Sequence, residues 1–167
     1  MGDAPDEGEQ PRWLAEDEQQ AWRELAGVLI WLPAALDAQL QADAGLSHFE
    51  YQVLSVLSTS PERTARMGDL AALANGSPSR LSHVVGRAEK QGWVTRSTDP
   101  GNKRIVLATL TDAGWEKVAA TAPGHVDAVR RFVFEPLNPA QVRQLHKLAS
   151  LIRRTVDPEG RPPLNLR

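Results

Sequence analysis

From Trp13 to about Leu40 the apolar residues Trp22, Leu25, Leu29, Leu32, Leu36 and Leu40 recur at threes and fours, the spacing of a helix with one apolar face. Pro33 lies inside that run and is expected to kink or interrupt the helix. "SHFE" at 47–50 has the form of a capping box, in which Ser47 caps a new helix and Glu50 reaches back. That helix is expected to bury Phe49, Val53, Leu54 and Leu57 on one side. "SPERTARM" breaks it, and a short helix follows with Leu70, Ala71, Leu73 and Ala74 as its apolar positions. "NGS" at 75–77 reads as a tight turn, because Asn75 and Gly76 tolerate the left-handed backbone that ends a helix. Ser77 then caps the next helix, with Pro78 in its first position. Within it Leu81, Val84, Val85 and Ala88 form one buried stripe, and Gly92 ends it.

The periodicity then changes. Trp93 to Ser97 and Arg104 to Leu110 are rich in β-formers, and the turn residues of "TDPGNK" join them into a hairpin. Thr111 opens another helix that runs to about Phe134. Asn138 caps the last one, with Pro139 first and Gln141 completing the box. Val142, Leu145, Leu148, Leu151 and Ile152 supply its apolar face.

The predicted fold is mainly α with a small β-hairpin wing. It is a winged helix-turn-helix flanked by long N- and C-terminal helices. Those outer helices carry more apolar surface than one small core needs. They are therefore expected to pack on a second copy of the chain, although folding back on the centre is the alternative. The expected boundaries are an acidic disordered tail at 1–11, a single domain at 12–156 and a C-terminal tail at 157–167. Within the domain a DNA-binding lobe occupies about 47–110, and dimerisation helices occupy about 12–41 and 111–156.

Charge changes the picture. The formal net charge is −2, but it is unevenly spread. Residues 1–20 hold Asp3, Asp6, Glu7, Glu9, Glu16, Asp17 and Glu18 against Arg12. Residues 77–104 hold Arg80, Arg87, Lys90, Arg96, Lys103 and Arg104 against Glu89 and Asp99. A basic face on a mildly acidic protein suits a polyanionic partner. Cysteine is absent, which removes disulfides, cysteine-based zinc sites and thiol sensing. The longest apolar run, 26–36, is too short by itself to span a bilayer and follows acidic residues, so the expected location is cytoplasmic.

The helix after Ser77 leaves Ser79, Arg80, Ser82 and His83 outward near its N-terminus. Short side chains permit close approach to a groove, Arg is the commonest reader of guanine, and a helix N-terminus favours phosphate. Arg87, one turn on, is expected to meet backbone rather than bases. Arg96, Asn102, Lys103 and Arg104 on the hairpin are expected to reach phosphate or the minor groove. For Arg104 two readings stand together, a groove contact and a structural pairing with Asp99 or another carboxylate.

"NKRIVLATLTDAG" at 102–114 resembles the wing signature of MarR-family regulators, Asp-x-Arg followed by five residues and Leu-Thr-x-x-Gly. Arg104, Leu110, Thr111 and Gly114 match, while Asn102 stands where the family usually has Asp. "SRLSHVVGRAEKQGWV" at 79–94 is similar to the family's recognition helix and following strand. The resemblance implies a homodimer that regulates transcription by binding successive major grooves of a pseudo-palindromic operator, usually as a repressor. It also implies that a small, often aromatic inducer releases the DNA in many members. With Asn102, the carboxylate–guanidinium pair of the wing becomes at most a neutral hydrogen bond.

Nothing in the chain marks an enzyme: there is no phosphate loop, no G-x-S-x-G elbow and no HExxH. His48, His83, His125 and His146 show no metal-ligand spacing, so neither metal nor cofactor is expected, though His48 and His146 would be the pair to meet in space. No ligand residues are assigned; Trp22, Trp31, Phe49, Tyr51 and Trp115 suit an apolar cleft but also an ordinary core. The alternatives to DNA reading are a winged-helix protein-interaction module and a ligand-binding protein without sequence-specific DNA binding.

Overall fold

The computed structural model describes residues 11–73 and 77–157. Helix α1 (Glu16–Ala44) is followed by α2 (His48–Thr59), a single 3-10 turn at Pro61–Arg63, and strand β1 (Thr64–Arg66). Then come α3 (Met67–Leu73), α4 (Pro78–Lys90), the hairpin β2 (Val94–Asp99) and β3 (Asn102–Leu110), α5 (Asp112–Val129) and α6 (Pro139–Val156). The expected Asn75–Gly76 turn and Ala74 lie outside the described residues.

The caps fall where local chemistry places them. The Ser47 hydroxyl accepts from the Glu50 amide at 3.2 Å, and the Glu50 carboxylate accepts from the Ser47 amide at 2.8 Å. Ser77, Thr111 and Asn138 cap α4, α5 and α6. Each satisfies an amide that the first helical turn leaves without a partner.

Two expectations are corrected. Of the kink or interruption expected at Pro33, the interruption is absent, and helix α1 continues through this residue. Proline removes one backbone hydrogen bond, and the carbonyl it frees belongs to Leu29, which is exposed to solvent. Because the helix extends the apolar run on both sides, it is long and apolar enough, by length and composition alone, to cross a membrane. The second correction is β1, within the segment expected only to break α2. It pairs antiparallel with β3, which gives a three-stranded sheet of order β1-β3-β2. Thr64 lies opposite Thr109, and their hydroxyls hydrogen-bond at 2.8 Å.

The core sits around α2. Phe49, Tyr51, Val53, Leu54, Val56 and Leu57 are all buried, more than the single face expected, because α2 packs on α1 and α5 as well as on β3, α3 and α4. Leu81, Val84, Val85 and Ala88 form the buried stripe of α4 as the spacing predicts. In contrast, α6 has no buried residue, and Leu148, Leu151 and Ile152 are each at least half exposed. Trp22, Leu29, Ile30 and Trp31 of α1 are also exposed.

At the α2–α5 contact, His48 meets His125 with ring centroids 6.0 Å apart, so its neighbour is His125 rather than His146. Tyr51 closes the group, 4.7 Å from the His125 ring. Burial lowers the pKa of both imidazoles; Asp37 partly offsets this for His48, and His48 adds to it for His125. A base depressed in the folded state binds protons more readily when unfolded. Its contribution is therefore complete above the usual imidazole value of about 6.5 and is lost as pH falls from there through the folded value. The urea midpoint is expected to fall between pH 8 and pH 5, and His125→Gln is expected to flatten that dependence. An equal pH slope in the variant would remove His125 from the account.

Candidate nucleic-acid interface

The inward stripe of α4 turns the rest of that helix to solvent. Ser77, Ser79, Arg80, Ser82, His83 and Arg87 are all exposed. The first turn of α4 is closed by Ser77, whose hydroxyl accepts from the Arg80 amide at 3.2 Å. Beside it lies a cleft of about 660 Å³ lined by Phe49, Ser77, Ser79, Arg80, His83 and Arg87 among others. The Arg80 guanidinium lies over an aromatic ring: its central carbon is 4.2 Å from the centre of the Phe49 ring. A planar cation over an aromatic face is a favourable arrangement that leaves its edge donors available.

Arg87 is paired. Its Nη2 lies 3.0 Å from Oε1 of Glu50 while remaining largely exposed. Arg96 is engaged more tightly, donating from Nε at 3.0 Å and from Nη2 at 2.6 Å to the same oxygen of Glu89. The hydrogen bond from Arg96, helped by its charge, holds the Glu89 carboxyl below the usual carboxylate value. In the free protein Arg96 thus ties β2 to α4, which the hairpin position alone did not reveal.

The hairpin is tighter than the sequence suggests. The strands reach Asp99 and Asn102, so Asn102, Lys103 and Arg104 belong to β3 rather than to a loop. Only Pro100 and Gly101 form the tip. The register jumps from Thr98 opposite Val106 to Asp99 opposite Asn102, a bulge that leaves Lys103 and Arg104 exposed. The Asp99 carboxylate accepts from the Gly101 amide at 2.8 Å, and the Asn102 side chain accepts from the Arg104 amide at 3.1 Å. The hydrogen bond that Asn102 accepts thus comes from the backbone of Arg104 and not from its guanidinium, the group the family's carboxylate would pair with. Among the described residues the Arg104 side chain forms no ion pair, so its structural pairing with Asp99 is not found.

The aromatic candidates do not gather into one cleft. Phe49 and Tyr51 are core residues, while Trp22, Trp31 and Trp115 remain exposed, and Trp115 carries the Arg63 guanidinium 4.6 Å from its ring centre. The residues that sequence reasoning missed are the supports: Phe49 beneath Arg80, Glu50 on Arg87 and Glu89 on Arg96. Glu50 was legible only as a cap, and no local pattern announces that its other oxygen is spoken for.

A short helix, a second helix with an outward polar N-terminus and a basic hairpin behind it define a protein of the winged helix-turn-helix class. The MarR family model matches residues 44–105. The chain is 45% identical to Sco3205 of Streptomyces coelicolor, a MarR family transcriptional regulator solved in complex with DNA; the match covers 94% of this chain and 100% of that one, with a TM-score of 0.84. AbsC, another MarR family regulator of Streptomyces coelicolor, is 36% identical over 87% of this chain and 98% of its own, with a TM-score of 0.80. The HTH-type transcriptional regulator YkoM of Bacillus subtilis (strain 168) is 32% identical over 102 residues, 60% of this chain and 64% of its own length. This chain belongs to the MarR family of transcriptional regulators.

Proposed function

We propose that the chain acts in the cytoplasm as a homodimer that reads a pseudo-palindromic duplex and represses the genes beside it. The observation that carries DNA reading is the N-terminal half of α4. Its buried stripe leaves Ser79, Arg80, Ser82 and His83 outward, and Arg80 is already seated on Phe49. Arg80 reads base edges, Ser77 and Arg87 meet phosphate, and Lys103 and Arg104 of the bulged wing reach the minor groove. Arg96 contributes through the wing it braces, with Asn102 setting the backbone beneath Arg104. The Sco3205 complex with DNA supports this reading of a similar chain.

Dimerisation rests on the exposed apolar faces of α1 and α6, which a single chain leaves in water. The same faces account for the membrane-like composition of α1. Sedimentation at micromolar concentration is expected to show one species of twice the chain mass, and Leu148→Asp with Leu151→Asp is expected to yield monomers. A monomer in the unmodified protein would remove two-fold operator reading.

Release by a small ligand would use a cavity of about 440 Å³ lined by His125, Val126, Val129, Arg130, Phe134 and Val142. Its apolar walls and basic edge suit a small apolar acid.

The deciding experiment is fluorescence anisotropy with the intergenic duplex upstream of the gene, titrated at several salt concentrations against a scrambled duplex. A preference on the order of a thousandfold with a steep salt slope is expected of a specific regulator. Indifferent binding there, and again to duplexes selected from a random pool, would leave a winged fold used for another purpose. Arg87→Ala is expected to weaken both duplexes alike and to reduce the salt slope by about one unit per subunit.

A further inference from the structure

We propose that the first turn of α2 is the positioning element of the reading surface, with Phe49 setting the aim of Arg80 and Glu50 restraining Arg87. The proposal rests on the DNA reading above. It concerns residues that lie outside the recognition helix.

Three successive residues of that turn make three different long-range contacts. The His48 amide donates to Oδ1 of Asp37 on α1 at 2.7 Å, which fastens the turn to the long helix. The ring of Phe49, buried at 6% exposure, lies under the Arg80 guanidinium. Glu50 divides its carboxylate. Oε2 accepts from the Ser47 amide at 2.8 Å and the Ser47 hydroxyl at 2.7 Å, while Oε1 holds Nη2 of Arg87 at 3.0 Å.

The physical consequences differ for the two arginines. A free arginine on a helix surface samples many rotamers and must lose that freedom when it meets a base. Stacking on a rigid, buried ring removes part of that loss before DNA arrives. The Phe49 contact therefore favours the duplex that uses the Arg80 edge donors. Glu50 acts in the opposite direction. Its capping bonds prevent it from following Arg87 toward a phosphate, so Arg87 must leave a nearby carboxylate or share it. This weakens a contact that every duplex offers equally. Phe49 raises the specific affinity and so widens the ratio of specific to indiscriminate binding, whereas Glu50 lowers both affinities alike.

The opposite signs give the test. Phe49→Leu keeps an apolar core residue but removes the π-face; it is expected to reduce the preference for the selected duplex by roughly three- to tenfold. Glu50→Gln keeps an acceptor for the Ser47 amide and removes the charge. It is expected to tighten binding to selected and scrambled duplexes alike and to steepen the salt slope by up to about one unit per subunit. Each effect should vanish in the matching background, Phe49→Leu in Arg80→Ala and Glu50→Gln in Arg87→Ala, with urea midpoints recorded for every protein. Coupling of this kind supports the proposal. If the unmodified protein discriminates between duplexes, the proposal is overturned by effects that persist undiminished in those backgrounds, or by Glu50→Gln weakening binding as a merely structural lesion would. An unmodified protein without any preferred duplex overturns the DNA reading itself, and the proposal falls with it.

Discussion

Replacing Arg80 by alanine is expected to lower affinity for the selected duplex by about 1–3 kcal/mol, roughly five- to 150-fold, and to relax preference at the base it reads. The argument starts from geometry. Arg80 is the long cationic side chain in the first turn of α4, where the small residues Ser77 and Ser79 allow the helix end to approach a groove. Its guanidinium lies over Phe49, and among the described residues it forms no ion pair with a carboxylate, so no opposite charge there already satisfies its donors. A bidentate contact to guanine uses two of them in one plane. Arg87, Glu50-bound and about two turns further along, lacks that freedom. The measurement is a comparison of selected and scrambled duplexes at one salt concentration, with base substitutions across each half-site. Equal losses on both duplexes would place Arg80 on the phosphate backbone instead.

Gly114→Ala is expected to destabilise the fold by about 2–3 kcal/mol, near the upper end for inserting a methyl group into a packed site. A Cβ at this position would overlap the carbonyl oxygen of Trp93 and press on a methyl of Leu110. The oxygen has little room to retreat, because it accepts from the Thr111 amide at 2.9 Å. Thr111 is itself tied on both sides: its hydroxyl accepts from the Gly114 amide at 3.0 Å and donates to the Gly92 carbonyl at 2.6 Å. The first turn of α5 is therefore clamped onto the α4–β2 junction, and glycine is the residue that lets the backbones touch. The melting temperature is expected to fall by roughly 4–12 °C. A change below about 2 °C would mean that α5 can shift outward at little cost, and that the glycine has no packing role.

That clamp gives a physical reading of the Leu-Thr-x-x-Gly pattern at 110–114. Leu110 is buried at the end of β3, Thr111 caps α5 while bonding back to the end of α4, and Gly114 permits the approach. The wing is thus tied both to the end of α4 and to the start of α5. Arg63 adds a second fastening, with Nη1 2.9 Å from Asp112 at the start of α5. Both Glu62 and Arg63 adopt positive φ, 51° and 54°, an uncommon backbone for residues with side chains. The strain sits where the chain turns from α2 into β1.

The local features of the chain were determined by its sequence. The stripe of Leu81, Val84, Val85 and Ala88, the caps at Ser47, Ser77, Thr111 and Asn138, and the hairpin between 93 and 110 each depend on residues a few positions apart. A helix period or a capping box is complete within one turn or two, so it can be read without knowing the fold. Outward polarity on α4 follows from the same stripe, which is why the candidate reading residues were legible.

The remainder was decided by contacts between distant segments. Strand β1 is three residues long and exists because β3 offers it a ladder, so its own pattern carries no signal. The strands of the wing extend to Asp99 and Asn102 because they hydrogen-bond to each other, although turn residues occupy that stretch. Glu50 meets Arg87 across thirty-seven positions, Phe49 supports Arg80 and His48 faces His125, all through packing that no short window contains. Side-chain chemistry specified which residues were able to pair. Which of them did so was settled by where α2 came to rest among the other helices, since ion pairs and stacking act only over a few ångströms.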